Sequence, residues 1–127
     1  MDLTGRKRIL CLDFDGVCHS YTSGWKGAHI IPDDPVPGMW EFLNDAIKVF
    51  EVHIFSSRSN QEGGIEAMKT WFAFHGDLVP GIVAELHFPT EKPPAFVGLD
   101  DRVVTFTGTW PDVNALSEFK TWKAQAV

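Results

Sequence analysis

Arg8-Ile9-Leu10-Cys11-Leu12-Asp13-Phe14-Asp15-Gly16 is a short apolar run that stops abruptly at a carboxylate, with a second carboxylate and a glycine just behind it. Residues 8–12 read as a strand buried on both faces, because the run does not alternate with polar residues. Asp13 then falls at the carboxyl end of that strand. What lies on either side decides whether it is a turn or a site.

Downstream, Cys18 to Pro37 is irregular, with Gly24, Gly27, Pro32, Pro35 and Pro37. It is too long for a tight turn and reads as a flap-like insertion at about 18–37. Pro37-Gly38 opens a helix in which Trp40, Leu43 and Ile47 recur at helical spacing. Residues 49–55 form a second apolar strand ending at Ser56-Ser57. Ser59 or Asn60 is a candidate cap for the next helix, whose inner face carries Ile65, Met68, Phe72 and His75. A further apolar segment spans about 82–88. Phe96 to Leu99 is a short strand stopping at Asp100-Asp101, Val103 to Phe106 reads as another, and Pro111-Asp112 begins a last helix with Val113, Leu116 and Phe119 inward. Strands alternating with amphipathic helices imply an α/β chain: a Rossmann-like three-layer fold with a mainly parallel central sheet and no separate cap domain. The 127 residues are expected to make a single domain.

Composition narrows the function classes. The hydrophobic fraction of 44% is enough to fill a core, which excludes a largely disordered chain. The net charge of −6 works against non-specific binding to nucleic-acid backbones. Arg6-Lys7-Arg8 reads as a solvated flank. Cys11 and Cys18 lack the spacing of a disulfide framework or a finger-like metal site and read as packing residues. No apolar run approaches a membrane span of roughly 18 residues, and no signal peptide is legible, so a cytoplasmic protein without membrane contact is expected.

In parallel sheets, ligands bind beyond the carboxyl ends of the strands. Asp13 and Asp15 lie at one such end, Asp100 and Asp101 at another. So many like charges in one crevice call for a counter-charge, and a hard divalent cation with oxygen ligands, Mg2+, supplies it. Ser56 offers a hydroxyl to an anion and Lys92 a point charge. Arg58, close behind Ser56, could clamp an anionic substrate or pair with an acid. Trp25 and Tyr21 in the flap could stack on a substrate, with packing the simpler role; His53 and His75 read as structural.

The order of these pieces resembles the haloacid dehalogenase superfamily, specifically its small capless phosphatases. Asp13-Phe14-Asp15-Gly16-Val17 looks like the first motif, Ile54-Phe55-Ser56 the second, Lys92 the third-motif lysine and Gly98-Leu99-Asp100-Asp101 the acidic fourth motif, over residues 8–106. The resemblance implies a magnesium-dependent phosphomonoester hydrolase. Asp13 would be the nucleophile, forming an aspartyl-phosphate, and Asp15 the proton carrier. Asp13, the Asp15 carbonyl and Asp100 would hold the metal, with Asp101 an acid behind these ligands or a second acid on the metal side. Ser56 and Lys92 would bind the phosphoryl oxygens. Lys92-Pro93-Pro94 departs from the family's helical third motif, so the chain between Phe88 and Phe96 must cross in extended form, reaching at most roughly 26–29 Å. The expected partner is a phosphorylated substrate of unspecified identity. Polynucleotide ends or phosphoproteins are the alternative substrates, and nucleic acid is otherwise not expected. A homodimer is conceivable as cover for the open site. From a different class, the rival is a non-catalytic phosphate-binding module; a two-metal nuclease is a weaker one.

Overall fold

The computed structural model describes residues 5–125. Three strands, β1 (Arg8–Leu12), β2 (Phe50–Ile54) and β3 (Val97–Leu99), form an open, all-parallel sheet in the order β2-β1-β3. Leu10 pairs with Val52 on one side and with Val97 on the other. The helices are α1 (Met39–Val49), α2 (Gly64–His75) and three short ones: α3 (Pro80–Val83), α4 (Val113–Ser117) and α5 (Trp122–Gln125). The chain is therefore α/β with a parallel sheet. Beyond β2, His87 makes an isolated parallel bridge to His53: its N–H donates to the Val52 carbonyl, and its own carbonyl accepts from the Ile54 N–H.

The strand pattern places the core on one side of this sheet. Leu10, Leu12, Val52 and Ile54 are buried together with Met39, Leu43 and Ala46 of α1, Met68, Trp71 and Phe72 of α2 and Ile82 of α3. The alternate residues, Ile9, Cys11, Glu51 and His53, are only partly buried. Burial of residues 8–12 on both faces, expected from the unbroken apolar run, is thereby corrected: β1 buries one face, and β2 does the same. The connection from His87 to β3 carries no helix, so a second helical layer is not present there. Lys92, Pro93, Ala95 and Phe96 from it line a cleft of about 670 Å³ on the Cys11 side. Cys18, by contrast, is fully buried in the core.

Helix boundaries depart from the sequence reading in instructive ways. The residue before α2 is Gly63, with φ 76° and no side-chain cap, so Ser59 and Asn60 do not cap it. Ser59 instead turns back, its hydroxyl accepting from the Ser56 N–H at 3.0 Å. The inner face of α2 is rotated to include Trp71, whose ring packs edge-on against Phe14 at 5.0 Å. Val103–Phe106 is not a strand, and all four residues are exposed. β-Branched and aromatic composition favours strand geometry, but a strand forms only where a partner edge is taken up. Val113, Leu116 and Phe119 are exposed as well. Asp112 does cap α4, its carboxylate accepting from the Ala115 N–H, so the local start signal was sufficient while the expected inward face has nothing to pack on.

Residues 18–37 contain no helix or strand of their own, but the insertion is fastened. Its two stems pair through Ser20 N–H to Asp34 O and Val36 N–H to Cys18 O. Near the tip, Ser23 donates from N–H and hydroxyl to the Asp33 carboxylate at 2.8 and 2.6 Å. The Trp71 indole N–H reaches the Asp33 carbonyl at 2.9 Å, tying the stem to α2.

Candidate functional site

The Asp13 N–H bonds the Leu99 carbonyl at 3.0 Å, so the ends of β1 and β3 stay in register one residue past the strands. This brings the two acidic runs together. Carboxylate oxygens of Asp13, Asp100 and Asp101 all lie within 4.8 Å of one another. Asp101 belongs to this group, which agrees with its reading as a second acid on the same side as Asp13 and Asp100. Burial, with the Asp100 charge next, pushes the Asp13 carboxyl up to about 7; the Phe14 N–H pulls it down, and Asp101 adds to the rise. Like charges held this close favour a counter-charge, which a bound cation could supply. An all-oxygen, all-carboxylate donor set suits a hard ion such as Mg2+ better than a softer one.

Gly16 makes room for this group. It adopts φ +83°, and a Cβ there would stand 2.2 Å from Asp101 Oδ2. Only a residue without a side chain combines that backbone with that approach. Its carbonyl accepts from the Trp122 indole N–H at 2.9 Å.

Asp15, two residues from Asp13, has an opposite environment. Its Oδ1 faces His19 Nδ1 at 2.9 Å and the Arg58 guanidinium at 3.2 Å, and its Oδ2 accepts from Arg58 Nε at 2.9 Å. Burial would raise this carboxyl, but the hydrogen bonds from His19 and Arg58 outweigh it and hold it below the usual range. His19 is fully buried, and its Nε2 accepts from the Asp33 N–H at 3.1 Å. That acceptor role fixes the ring proton on Nδ1, pointing at Asp15.

Arg58 is also fully buried. Beyond Asp15, its Nη1 donates to the carbonyls of Gly27, Ala28 and Ile30 at 2.8, 3.0 and 3.3 Å, and the Trp25 ring covers it at 4.7 Å. Of the two readings of Arg58, clamp on an anionic substrate or partner of an acid, the structure shows the second: its donors meet Asp15 and the flap carbonyls. Trp25 packs on the guanidinium and is half-exposed on its other side.

Ser56 is buried, and its hydroxyl oxygen accepts from the Arg58 N–H at 2.9 Å. It shares a crevice of about 420 Å³ with Asp13, Asp15, Asp100, Asp101, Tyr21 and Trp25. Lys92 is exposed on the wall of the larger cleft, which Asp13 and Asp100 also line. The two openings therefore meet at Asp13 and Asp100, with Ser56 on one side and Lys92 on the other.

Sequence reasoning missed that His19 and Arg58 belong to Asp15. The signals were available: His19 follows Asp15 by four residues in a loop that must turn back, and Arg58 is an arginine directly behind an apolar strand. Neither motif says which acid such a residue meets. Compared with known proteins, the chain matches no family model, no curated protein and no solved structure. The family reading therefore stands on the motifs and on their placement alone. No helix among the described residues is long and apolar enough to cross a membrane.

Proposed function

We propose that this chain is a magnesium-dependent phosphomonoester hydrolase of the haloacid dehalogenase type, working through an aspartyl-phosphate on Asp13. The observation that carries the reading is the group formed by Asp13, Asp100 and Asp101 beyond the ends of β1 and β3. With the His87 bridge as a further parallel pairing, we read the sheet as Rossmann-like, its helices on one face and an extended crossover on the other. Asp13, Asp100, Asp101 and the Asp15 carbonyl would hold Mg2+, which supplies charge neutralisation at the phosphoryl oxygens. One Asp13 oxygen attacks phosphorus as the bond to the leaving oxygen breaks, and water later displaces phosphate from Asp13. Ser56 and Lys92, on opposite sides of Asp13, orient the phosphoryl group. The small open crevice fits the end of a substrate, a nucleic-acid or protein phosphate included.

One observation favours a second reading. The Asp15 carboxylate is bound on both oxygens, so donating a proton to a leaving group requires it first to leave Arg58. The presence of the second acid does not by itself indicate catalysis, because here it anchors the flap. A metal-dependent phosphate-binding module uses the same geometry without turnover.

Hydrolysis of aryl and alkyl phosphates with and without Mg2+, by wild type, Asp13→Asn and Asp15→Asn, separates the two. A phosphatase loses all turnover in Asp13→Asn. It loses more on alkyl than on aryl esters in Asp15→Asn, since only the poorer leaving group needs the proton. Turnover that survives Asp13→Asn sinks the covalent mechanism. No turnover on either ester, with fluoroberyllate still binding at Asp13, establishes the binding module.

A further inference from the structure

The sheet face turned away from the helices carries a second cluster with a different donor chemistry. Val52 and Ile54 point into the core, so Glu51 and His53 of β2 point the other way. His87 lies beside His53 across the parallel bridge, which puts the three side chains on one face. Their imidazoles stack at 4.8 Å with planes 13° apart. Glu51 Oε1 stands 3.3 Å from His87 Nε2 and 3.7 Å from His53 Nε2, and one ligand atom from each of the three falls within 4.8 Å of the others.

Two facts separate this cluster from an ordinary surface ion pair. First, both ring nitrogens of His53 are buried and have no hydrogen-bond partner among the described residues. A buried imidazole normally finds one, since leaving a polar group unsatisfied is costly. Second, ligands of a tetrahedral ion at about 2.0–2.1 Å stand about 3.3–3.4 Å apart. The Glu51–His87 separation already has that value, and Glu51–His53 is a few tenths of an ångström wider. The stacked rings aim their lone pairs in parallel, so metal binding requires the His87 ring, 48% exposed, to turn out of the stack toward the point that Glu51 and His53 share.

We propose that Glu51, His53 and His87 form a binding site for a zinc-class divalent ion, with water as the fourth ligand. Two imidazoles and a carboxylate select such an ion over Mg2+, which prefers oxygen alone. The site shares no residue with the acidic group at Asp13. Its ion clips the His87 segment to the β2 edge and so holds the start of the extended crossover that carries Lys92.

The test is calorimetric titration of the untagged full chain with ZnCl2 in excess Mg2+, which occupies oxygen-only sites, repeated with Co2+ for its visible absorption. Wild type is expected to take up one Zn2+, and the Co2+ form to show the intense bands of a four-coordinate ion. Glu51→Gln and His87→Gln should each weaken Zn2+ binding by at least about tenfold and lose those bands; Asp100→Asn should do neither. Both glutamine substitutions replace side chains that are at least partly exposed, and circular dichroism without metal verifies the fold. No uptake by wild type, uptake unchanged in both glutamine variants, or an equal loss in Asp100→Asn overturns the proposal.

Discussion

Asp13 and Asp15 are separated by one residue, yet one stands among like charges and the other between a guanidinium and an imidazole donor. Around Asp13 the neighbours are Asp100 and Asp101, and the carboxyl is pushed up to about 7. Around Asp15 they are Arg58 and His19, and the carboxyl is held down. The first region gathers negative charge. The second carries its own cation, Arg58, and uses it to hold the flap. Two acids in one motif thus divide into one that joins an acidic group and one that builds the wall around it.

The largest expected effect comes from removing the internal cation. Arg58→Ala leaves the part-buried Asp15 carboxylate without its guanidinium partner and removes a donor from three flap carbonyls. It should destabilise the chain by about 3–5 kcal/mol, read from urea denaturation. A loss below about 1 kcal/mol would mean that Asp15 is solvated and the two regions are alike. Arg58→Lys should recover only part, because an ammonium cannot match the planar fork.

A smaller effect is expected on the Asp13 side. Gly16→Ala meets both the left-handed backbone and the Asp101 carboxylate, costing about 1–2 kcal/mol from the backbone alone. Asp101 is the mobile party and should be displaced, so Mg2+ affinity should fall along with stability. Unchanged Mg2+ affinity would remove Asp101 from the group.

The smallest effect is the dependence of Mg2+ stabilisation on pH. Between the ordinary value of 3.8 and about 7, the folded chain holds a proton on Asp13 that the unfolded chain has released. That contribution is complete below 3.8 and is lost as pH rises through 7. Mg2+ replaces the proton, so the rise in Tm on adding it should be slight at pH 5 and grow toward pH 8, reaching about 1 kcal/mol at roughly five times Kd. Asp13→Asn should flatten the trend. Asp15 runs in the opposite sense: its contribution is present above the ordinary carboxyl range and is lost as pH falls through its depressed folded value.

Much of this was legible in the sequence, for identifiable reasons. β1, β2, α1 and β3 are legible close to their bounds because each has an apolar pattern bracketed by Gly, Pro or a carboxylate, whereas α2 starts at Gly64, later than a Ser59 or Asn60 cap implies; Asp13 and Asp100 are placed by their position at strand ends. Two kinds of information were missing. Pattern does not report partners: Val103–Phe106 and the inward face expected for Val113, Leu116 and Phe119 have the right residues and nothing to pack on. Nor does a motif report charge balance: pairing of Arg58 with an acid is one of its two readings, but nothing in the sequence says that the acid is Asp15, to which the structure joins it. The clustering of Glu51, His53 and His87 depended on a strand pairing that an apolar segment at 82–88 could not specify.

The Gly16 carbonyl is held by a tryptophan 106 residues further along the chain. During synthesis the loop bearing Asp13 emerges ahead of its partners: this contact must wait for Trp122, and the acidic group must wait for Asp100. Contacts of such long sequence separation close late and slowly. The nascent chain therefore carries Asp13 long before it can bring together the acids around it.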